Sequence, residues 1–247
     1  MTQTAIVVGA NGKMGKIACN ALIEYKPNIS VIPVSRADNL SEVISQSRAC
    51  IALELTDVNS VYSNSQVLLK HGIPTVIGAS GLTSEQKHHL NQLAVRTDVP
   101  CLIVPNFSIA AVLMNQAAKL AAPFLNDCEI IEYHHTQKKD APSATSIDTA
   151  NQVKLARLNA LENSGDQNAH WRGSVPIHSI RCSGVLAKQD VIFAQRGETL
   201  TISLNQIDRY AFAPGICMAM GRITALPAGI HTGIENVFDF YVQNISP

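Results

Sequence analysis

The sequence predicts an α/β protein that combines a doubly wound parallel sheet with a second, α+β domain whose sheet is mostly antiparallel. Two observations lead to this fold class. Buried strand-like runs alternate with segments of helical length up to residue 107, and a glycine-rich turn follows the first run. Such alternation predicts right-handed crossovers and a parallel sheet covered by helices. Beyond Asn106 the pattern changes to helices and alternating strands, which is typical of a separate α+β domain.

The first strand runs directly into a glycine turn and a helix. Residues 5–8 form a continuous apolar run, as in a strand buried on both faces, and residues 14–22 carry an apolar stripe with helical spacing. Between them, Gly9, Gly12 and Gly15 would let backbone N–H groups approach the pyrophosphate of a dinucleotide. Their G-x-x-G-x-x-G spacing meets the generic G-x-G-x-x-G fingerprint only in part, so an ordinary strand-to-helix turn is the alternative.

Further strand-like runs follow at regular intervals, at residues 29–35, 49–55, 75–81 and 101–107, with helical segments at 59–71 and 84–96. Parallel sheets of this type bind ligands at the carboxyl ends of their strands. This rule selects a set of expected cofactor contacts, namely Gly9, Ala10, Asn11, Gly12, Lys13, Met14, Ser35, Arg36, Gly78, Ala79, Ser80, Val104, Pro105, Asn106 and Phe107.

The position that distinguishes the two nicotinamide dinucleotides lies about 20 residues beyond the glycine turn. An acidic residue there would bind the ribose 2′-hydroxyl, but the sequence has Ser35 and Arg36, which suit a 2′-phosphate. Two alternatives remain at this stage. In the first, Arg36 is a solvated arginine after a strand and binds no cofactor. In the second, Asp38 nearby binds the 2′-hydroxyl.

The second half begins with a helix over residues 108–125, a strand in "CEIIEYHH" and a helix over residues 145–158. Three strands follow, in "VPIHSIRCSG", "KQDVIFAQ" and "ETLTISLNQ", and the last two form a hairpin around Arg196 and Gly197. The polar stretch 161–173 predicts a surface loop, and residues 212–226 predict a last helix that returns to the first domain.

Positive charge is concentrated in the stretch "EYHHTQKKDAPSAT", residues 132–145. His134 and His135 end a strand, and on a regular strand they point to opposite faces, so at most one faces a ligand directly. Lys138 and Lys139 begin the loop that follows. Taken alone, adjacent histidines are more often surface residues than catalysts, and adjacent lysines are usually solvated.

The same stretch ends in the start of a helix. Pro142 suits the first helical position, which leaves the N–H groups of Ser143, Ala144 and Thr145 without intrahelical partners. Unpaired N–H groups at a helix start form an anion pocket. Imidazole, ammonium and helix N-terminus beside a dinucleotide fold are the arrangement expected for a small substrate with one or two carboxylates.

The overall composition excludes several classes of protein. The 247 residues are 46% hydrophobic and only 15% charged, with 19 basic and 19 acidic side chains, so no net field attracts nucleic acid or an anionic membrane. Six scattered cysteines without C-x-x-C spacing predict a reducing compartment, and an N-terminus without an apolar signal segment predicts a cytoplasmic protein. No metal site is expected, because the pairs His88–His89 and His134–His135 lack metal-ligand spacing.

The charged stretch closely resembles a family signature. "EIIEYHHTQKKDAPSAT" is similar to the E-x-x-x-x-HH-x-x-K-x-DAPSGT motif of the dihydrodipicolinate reductase family. "VGANGKMG" resembles the nucleotide loop of that family, "VIGASGLT" its VIGTTGF segment, "PNFSIAAVLM" its PNFSIGVNLM hinge and helix, and "GETLTISLNQIDRYAFAPG" its late hairpin and return. The resemblance covers nearly the whole chain and identifies it as a member of this family.

The resemblance implies a Rossmann-like domain over residues 1–106, a substrate-binding and oligomerisation domain over residues 107–213, and a return to the first domain over residues 214–247. It implies a homotetramer built through the second domain's sheet, and hydride transfer from NADPH or NADH to a cyclic dicarboxylate in lysine and diaminopimelate synthesis. His134 would be the general acid, and an unperturbed pKa near 6.5 would suit that role at neutral pH. Lys138 would be the second proton donor and anchor, and the substrate contacts would be His135, Ser143, Ala144 and Thr145.

Two departures from the family pattern stand out. Ala144 replaces a glycine of the signature, and Ala79 with Ser80 replace two threonines on the nicotinamide side. Two other functions therefore stay open at this stage. One is a reductase of another small carboxylated imine or semialdehyde, and the other is a non-catalytic dinucleotide sensor that has kept the fold.

Overall fold

The computed structural model describes residues 3–26, 28–164 and 174–238. The chain divides into two compact units. The first contains the residues up to Ile109 together with those from Phe212 onward, and the second is Ala110–Ala211. The first unit is therefore discontinuous in sequence, because its last part follows the whole of the second unit.

The first unit is built on a parallel sheet. Its strands, numbered in chain order, are β1 (Gln3–Val8), β2 (Ile29–Val34), β3 (Ala49–Glu54), β4 (Thr75–Ile77), β5 (Pro100–Ile103) and β10 (Gly229–Thr232). They form one six-stranded sheet in the order β10-β5-β4-β3-β1-β2, and every neighbouring pair is parallel. The strand order reverses beside β1, which is the arrangement of a doubly wound sheet.

Five helices accompany this sheet: α1 (Lys13–Tyr25), α2 (Leu40–Gln46), α3 (Val61–Lys70), α4 (Ser84–Arg96) and α7 (Ala213–Arg222). Helix α1 packs against α7, whereas α3 packs against both α2 and α4. The crossovers through α1 and α3 run in opposite directions from the centre of the sheet, and right-handed connections of this kind place their helices on opposite faces. The central strands are accordingly buried, and Ala5, Ile6, Ile51 and Leu53 have no solvent exposure.

The second unit pairs two long helices with a mixed sheet. Helix α5 (Ile109–Ala121) and β6 (Asp127–His134) are followed by α6 (Ala144–Ser164), β7 (Ile177–Arg181), β8 (Ala187–Gln195) and β9 (Glu198–Gln206). The sheet order is β7-β6-β8-β9. Only the pair of β6 and β7 is parallel, and β8 and β9 form a hairpin. The core of the second unit contains residues of both helices and of the sheet, including Met114, Ala118, Ile130, Val153 and Phe193.

The predicted fold class is confirmed, with several corrections to its elements. The sequence predictions missed β10, a four-residue strand that extends the first sheet beyond β5, and α2, a helix of seven residues. Helix α6 also continues to Ser164, so the first part of the predicted loop 161–173 is helical. The rest of that predicted loop, from residue 165 on, lies outside the described residues. None of the helices in the described part of the chain has the length and apolar character needed to span a membrane.

Candidate active site

The turn after β1 has the geometry of an anion cradle. Gly9 has a φ of +82°, a conformation that favours glycine, and a Cβ atom on Gly15 would lie 2.2 Å from the Gly9 carbonyl oxygen. Helix α1 begins at Lys13, and its N-cap residue, Gly12, has no side chain to accept a hydrogen bond from the first helical turn. The backbone N–H groups of that turn therefore remain available to an anion, which fits the pyrophosphate of a dinucleotide.

The other predicted cofactor residues all follow strands of the same sheet. Ser35 and Arg36 come after β2, Gly78 to Ser80 after β4, and Val104 to Phe107 after β5. These strands are parallel, so the three segments lie along the carboxyl edge of the sheet with the glycine turn. Within this edge Gly78 contacts Phe107, since a Cβ atom on Gly78 would lie 2.5 Å from Phe107 Cε2.

Two of these residues are less accessible than the sequence suggests. Val104 and Phe107 are only 1% and 4% exposed. The N–H of Val104 donates a hydrogen bond to Ile77, and the side chain of Asn106 accepts one from the N–H of Ser108. The side chains of Val104 and Phe107 are therefore buried at the carboxyl edge of the sheet, whereas Pro105 between them is exposed.

Ser35 and Arg36 are already engaged by carboxylates. Asp38 accepts hydrogen bonds from the N–H and the hydroxyl of Ser35, each at 2.7 Å, and Arg36 pairs with Asp57 at 3.1 Å. Hydrogen bonds from Ser35 lower the pKa of Asp38 below its usual value, so this carboxylate is charged at neutral pH. A carboxylate therefore stands beside each of the two residues that the sequence assigns to the adenosine ribose.

Glu54 is a buried carboxyl group at the carboxyl end of β3. Its Oε1 accepts hydrogen bonds from the N–H of Thr56 and from Asn64, while Oε2 has no hydrogen-bond partner among the described residues. Burial raises the pKa of Glu54, against the hydrogen bonds from Thr56 and Asn64. These contacts fix the turn between β3 and α3, which also supports the glycine turn, because the N–H of Leu55 donates to Val8.

The second unit brings most of the predicted substrate residues to the end of β6. His134 is the last residue of that strand, and only 14% of its side chain is exposed. Its Nδ1 lies 3.7 Å from Glu132 Oε2 and has no hydrogen-bond partner in the described chain. Burial lowers the pKa of His134, and Lys138 and Arg181 act in the same direction. The expectation of an unperturbed imidazole is therefore corrected.

The loop after β6 contains the remaining basic residues. His135 is half-buried, and its Nδ1 is buried without a hydrogen-bond partner among the residues described. Lys138 donates to both carboxylate oxygens of Asp140 at 2.9 Å, with 23% of its side chain exposed, whereas Lys139 is exposed. The structure thus separates the two lysines, and it gives Lys138 a carboxylate partner that the sequence analysis did not assign.

The start of α6 differs from its predicted form. The helix begins at Ala144, so Pro142 precedes it, and Ser143 caps it by accepting a hydrogen bond from Ser146 N–H at 3.1 Å. The N–H of Ser143 already donates to Glu132, at 2.9 Å, and is therefore not an open anion contact as predicted. The first intrahelical bond joins Ile147 to the Ser143 carbonyl, which leaves the N–H groups of Ala144 and Thr145 without intrahelical acceptors.

Ala144 has the helical conformation that its position after Pro142 predicts. It is the first residue of α6, and Asp98 is the one non-glycine residue with positive φ in the described ranges. The side chain of Ala144 is exposed. Alanine in place of glycine therefore causes no backbone strain at this position.

Comparison with known proteins agrees with both halves of this arrangement. Residues 4–107 match the family model described as dihydrodipicolinate reductase, N-terminus, and residues 108–238 match that described as dihydrodipicolinate reductase, C-terminus. The 4-hydroxy-tetrahydrodipicolinate reductase of Legionella pneumophila (strain Corby) is 39% identical over 245 residues, which cover 96% of this chain and 100% of the relative. The chain belongs to the dihydrodipicolinate reductase family.

Two further comparisons support this membership. The 4-hydroxy-tetrahydrodipicolinate reductase of Coxiella burnetii (strain RSA 493 / Nine Mile phase I) is 36% identical over 239 residues, with 96% of this chain and 100% of the relative covered. The dipicolinate-bound dihydrodipicolinate reductase from Paenisporosarcina sp. TG-14 superposes with a TM-score of 0.83 at 28% identity, covering 96% and 100% of the two chains. The chain is accordingly an NAD(P)H-dependent oxidoreductase, and the predicted family, enzyme class and cofactor are confirmed.

Sequence reasoning missed three residues that support the dihydrodipicolinate reductase signature stretch, namely Glu132, Ser146 and Arg181. Glu132 lies beneath His134 and is contacted by Ser146 and Arg181. The signal for Glu132 was its position two residues before His134, which places both side chains on one face of a strand. Arg181 had no local signal, because it is 49 residues away from Glu132 in sequence. In the part of the chain that the structure describes, no group of three or more His, Cys, Asp or Glu residues is placed to hold a metal ion.

Proposed function

We propose that this chain reduces the cyclic product of pyruvate and aspartate semialdehyde, (hydroxy-tetra)dihydrodipicolinate, to tetrahydrodipicolinate in lysine and diaminopimelate synthesis. The observation that carries the proposal is the end of β6, where an imidazole, an ammonium group and two helix-start N–H groups occur within a dozen residues. Positive charge and N–H donors of this kind suit a substrate with two carboxylates.

The cofactor-binding residues are assigned to the first unit. The turn formed by Gly9, Ala10, Asn11, Gly12, Lys13 and Met14 would hold the pyrophosphate. The donors would be the N–H groups at the start of α1, because those of Gly9, Ala10 and Gly12 donate to carbonyl groups of the chain. Ser35 and Arg36 would contact the adenosine ribose. The nicotinamide would be contacted by Gly78, Ala79 and Ser80 and by the segment from Val104 through Pro105 and Asn106 to Phe107. When bound, NADPH or NADH supplies a hydride from C4 of its nicotinamide ring.

The substrate-binding and proton-donating residues are assigned to the second unit. His134 donates the proton, and it does so as an imidazolium, because a neutral imidazole that lost its N–H proton would become a strongly basic imidazolate anion. Lys138 exchanges Asp140 for a substrate carboxylate and stabilises the charge that develops during reduction. The other carboxylate contacts are His135 and the N–H groups of Ala144 and Thr145. Ser143 holds the start of α6 in place, because its N–H donates to Glu132 and its hydroxyl bonds to Ser146.

We also propose that three parts of the chain have different functions, as the sequence implies. Residues 1–106 bind the dinucleotide, residues 107–213 bind substrate and form the oligomer, and residues 214–247 complete the first domain. The oligomer is a homotetramer formed through the β7-β6-β8-β9 sheet, and the protein acts in the cytoplasm. In support of contacts through the sheet, Ile180 and Leu200 on its strands are 39% and 44% exposed in the single chain.

The decisive experiment is a turnover assay with the freshly formed condensation product of pyruvate and aspartate semialdehyde, run with NADPH and NADH in parallel. A panel of small carbonyl compounds and cyclic imines serves as the comparison. We expect turnover with the condensation product and little with the panel. Faster turnover of a panel member would identify a different reductase, and cofactor binding without any turnover would identify a dinucleotide sensor.

NADPH is expected to be used at least as well as NADH. Arg36 pairs with Asp57 only at the surface, with 90% and 46% of the two side chains exposed, and such pairs are too weak to withhold the guanidinium from a phosphate. Changing Arg36 to alanine should therefore raise KM for NADPH about tenfold and leave KM for NADH nearly unchanged. Steady-state kinetics with both cofactors measure this effect. A clear preference for NADH that persists in Arg36→Ala would contradict it.

Ala144→Gly is expected to change KM for the substrate by a few-fold at most. The contact assigned to this residue is its main-chain N–H, which glycine also possesses, and the alanine side chain points to solvent. The variant should be slightly less stable, because glycine costs about 1 kcal/mol relative to alanine within a helix and somewhat less at its end. Kinetics and thermal unfolding measure the two effects. A hundredfold gain in kcat/KM would mean that the natural alanine obstructs the site.

A further inference from the structure

A buried carboxylate lies beneath the imidazole of His134. Side chains alternate along β6, so Cys128, Ile130, Glu132 and His134 share the face that the helices cover. Glu132 has no solvent exposure, and its Oε2 lies 3.7 Å from Nδ1 of His134. A fully buried acidic side chain is uncommon in proteins and requires strong partners.

Glu132 has such partners in two segments of the chain, the start of α6 and β7. Its Oε2 accepts hydrogen bonds from Ser143 N–H at 2.9 Å and from the Ser146 hydroxyl at 2.8 Å, and its Oε1 accepts one from Arg181 at 2.8 Å. Although burial alone would raise the pKa of Glu132, hydrogen bonds from Ser143, Ser179, Arg181 and Ser146 lower it to about 2. The group is therefore an anion with a fixed position.

His134 has its Nδ1 on the side of this anion. The separation of 3.7 Å is too long for a hydrogen bond, but it is short enough for a strong electrostatic effect on an Nδ1 proton. The other charged groups around the imidazole are Lys138 and Asp140 in the loop and Arg181 on β7. The two cations disfavour a protonated imidazole, whereas Glu132 and Asp140 favour it, and only Glu132 of these two carboxylates is buried.

We infer that Glu132 is a positioning residue of the reduction, which holds the His134 imidazole with Nδ1–H toward the protein interior so that Nε2 carries the donated proton. The inference rests on the proposed function in one respect, the role of His134 as the donor. In the proton transfer, the Nε2–H bond breaks as the proton moves to the substrate, and His134 is left neutral with its Nδ1 proton beside Glu132. Water returns the proton to Nε2 afterwards.

The test is the isosteric variant Glu132→Gln, with Glu162→Gln on the exposed side of α6 as the matched control. Without substrate, the imidazole of His134 is titrated by NMR, and its signal is assigned by its loss in His134→Asn. With substrate, the pH profile of kcat is measured.

In Glu132→Gln we expect the His134 titration to move to lower pH and kcat at neutral pH to fall about tenfold, with part of the loss restored at lower pH. The control should match the wild type in both measurements.

An unchanged His134 titration together with an unchanged pH profile in Glu132→Gln would overturn the inference. If Glu132→Gln fails to fold beside Arg181, Glu132→Asp replaces it, because it keeps the charge and withdraws it from His134. A shift of the His134 titration to lower pH in Glu132→Asp supports the inference, and no shift overturns it. If the wild type shows no turnover of the condensation product, the proposed function fails, whereas the NMR titration still decides whether Glu132 controls His134.

Discussion

His134→Ala is expected to lower kcat by about two orders of magnitude or more, because general acids in enclosed sites usually contribute at least that much. His134 is the one imidazole of the signature stretch that ends β6, and 14% of its side chain is exposed to accept a substrate. Cofactor binding should not change, since the cofactor residues belong to the other unit. Steady-state kinetics and a fluorescence titration with NADPH measure the two quantities. His88→Ala, which removes an exposed imidazole from α4, is the control.

The pH dependence of the wild type gives a second check on His134. A proton donor must be protonated, so kcat/KM should decline as the pH rises through the pKa of His134 in the free enzyme. Burial lowers that pKa, so the decline should begin at a lower pH than for a free imidazole. A bound dicarboxylate favours the imidazolium, and the decline in kcat should therefore occur at higher pH than the decline in kcat/KM. Full activity of His134→Ala, or identical profiles in that variant and the wild type, would exclude His134 as the donor.

Lys138→Ala is expected to lower kcat/KM by about two orders of magnitude or more, whereas Lys139→Ala should have little effect. Lys138 is half-buried and paired with Asp140, while Lys139 is exposed and its charge is screened by water and salt. The two lysines are adjacent and identical in charge, so the pair separates a specific contact from a general basic patch. Kinetics at two salt concentrations measure this difference. Equal losses in both variants would show that the loop acts only through its net charge.

The sequence predicts well those elements that show a local pattern, such as a run of apolar residues, apolar residues at helical spacing or a glycine turn. The run at residues 5–8 and the stripe of α1 follow from hydrophobic spacing alone, and the hairpin of β8 and β9 follows from the turn at Gly197. β10 has four residues and contains a glycine and a histidine, so it shows neither a buried run nor an alternation. Its strand conformation depends on pairing with β5, which lies more than a hundred residues earlier in the chain.

The candidate site likewise contains features that a local sequence pattern predicts and features that depend on distant parts of the chain. His134, Lys138 and the start of α6 are contiguous in sequence, so a motif predicts them together. Their electrostatic state depends on groups that are brought close only by folding, above all Arg181, whose partner Glu132 is 49 residues away. The lowered pKa of His134 has its largest cause in burial, which no sequence pattern measures. For this reason the sequence predicts these residues as one candidate group, whereas it does not predict the electrostatic surroundings of each of them.

The position of β10 has a consequence for how the protein is made. β10 pairs with β5 at the end of the sheet order, and the residues of β5 are all buried. While the ribosome is still synthesising the second unit, β5 is an edge strand that pairs with β4 on one side only, and open edges of that kind associate with strands of other chains. The first unit is therefore completed only after the whole of the second unit has been synthesised, and its protection from aggregation depends on the four residues of β10.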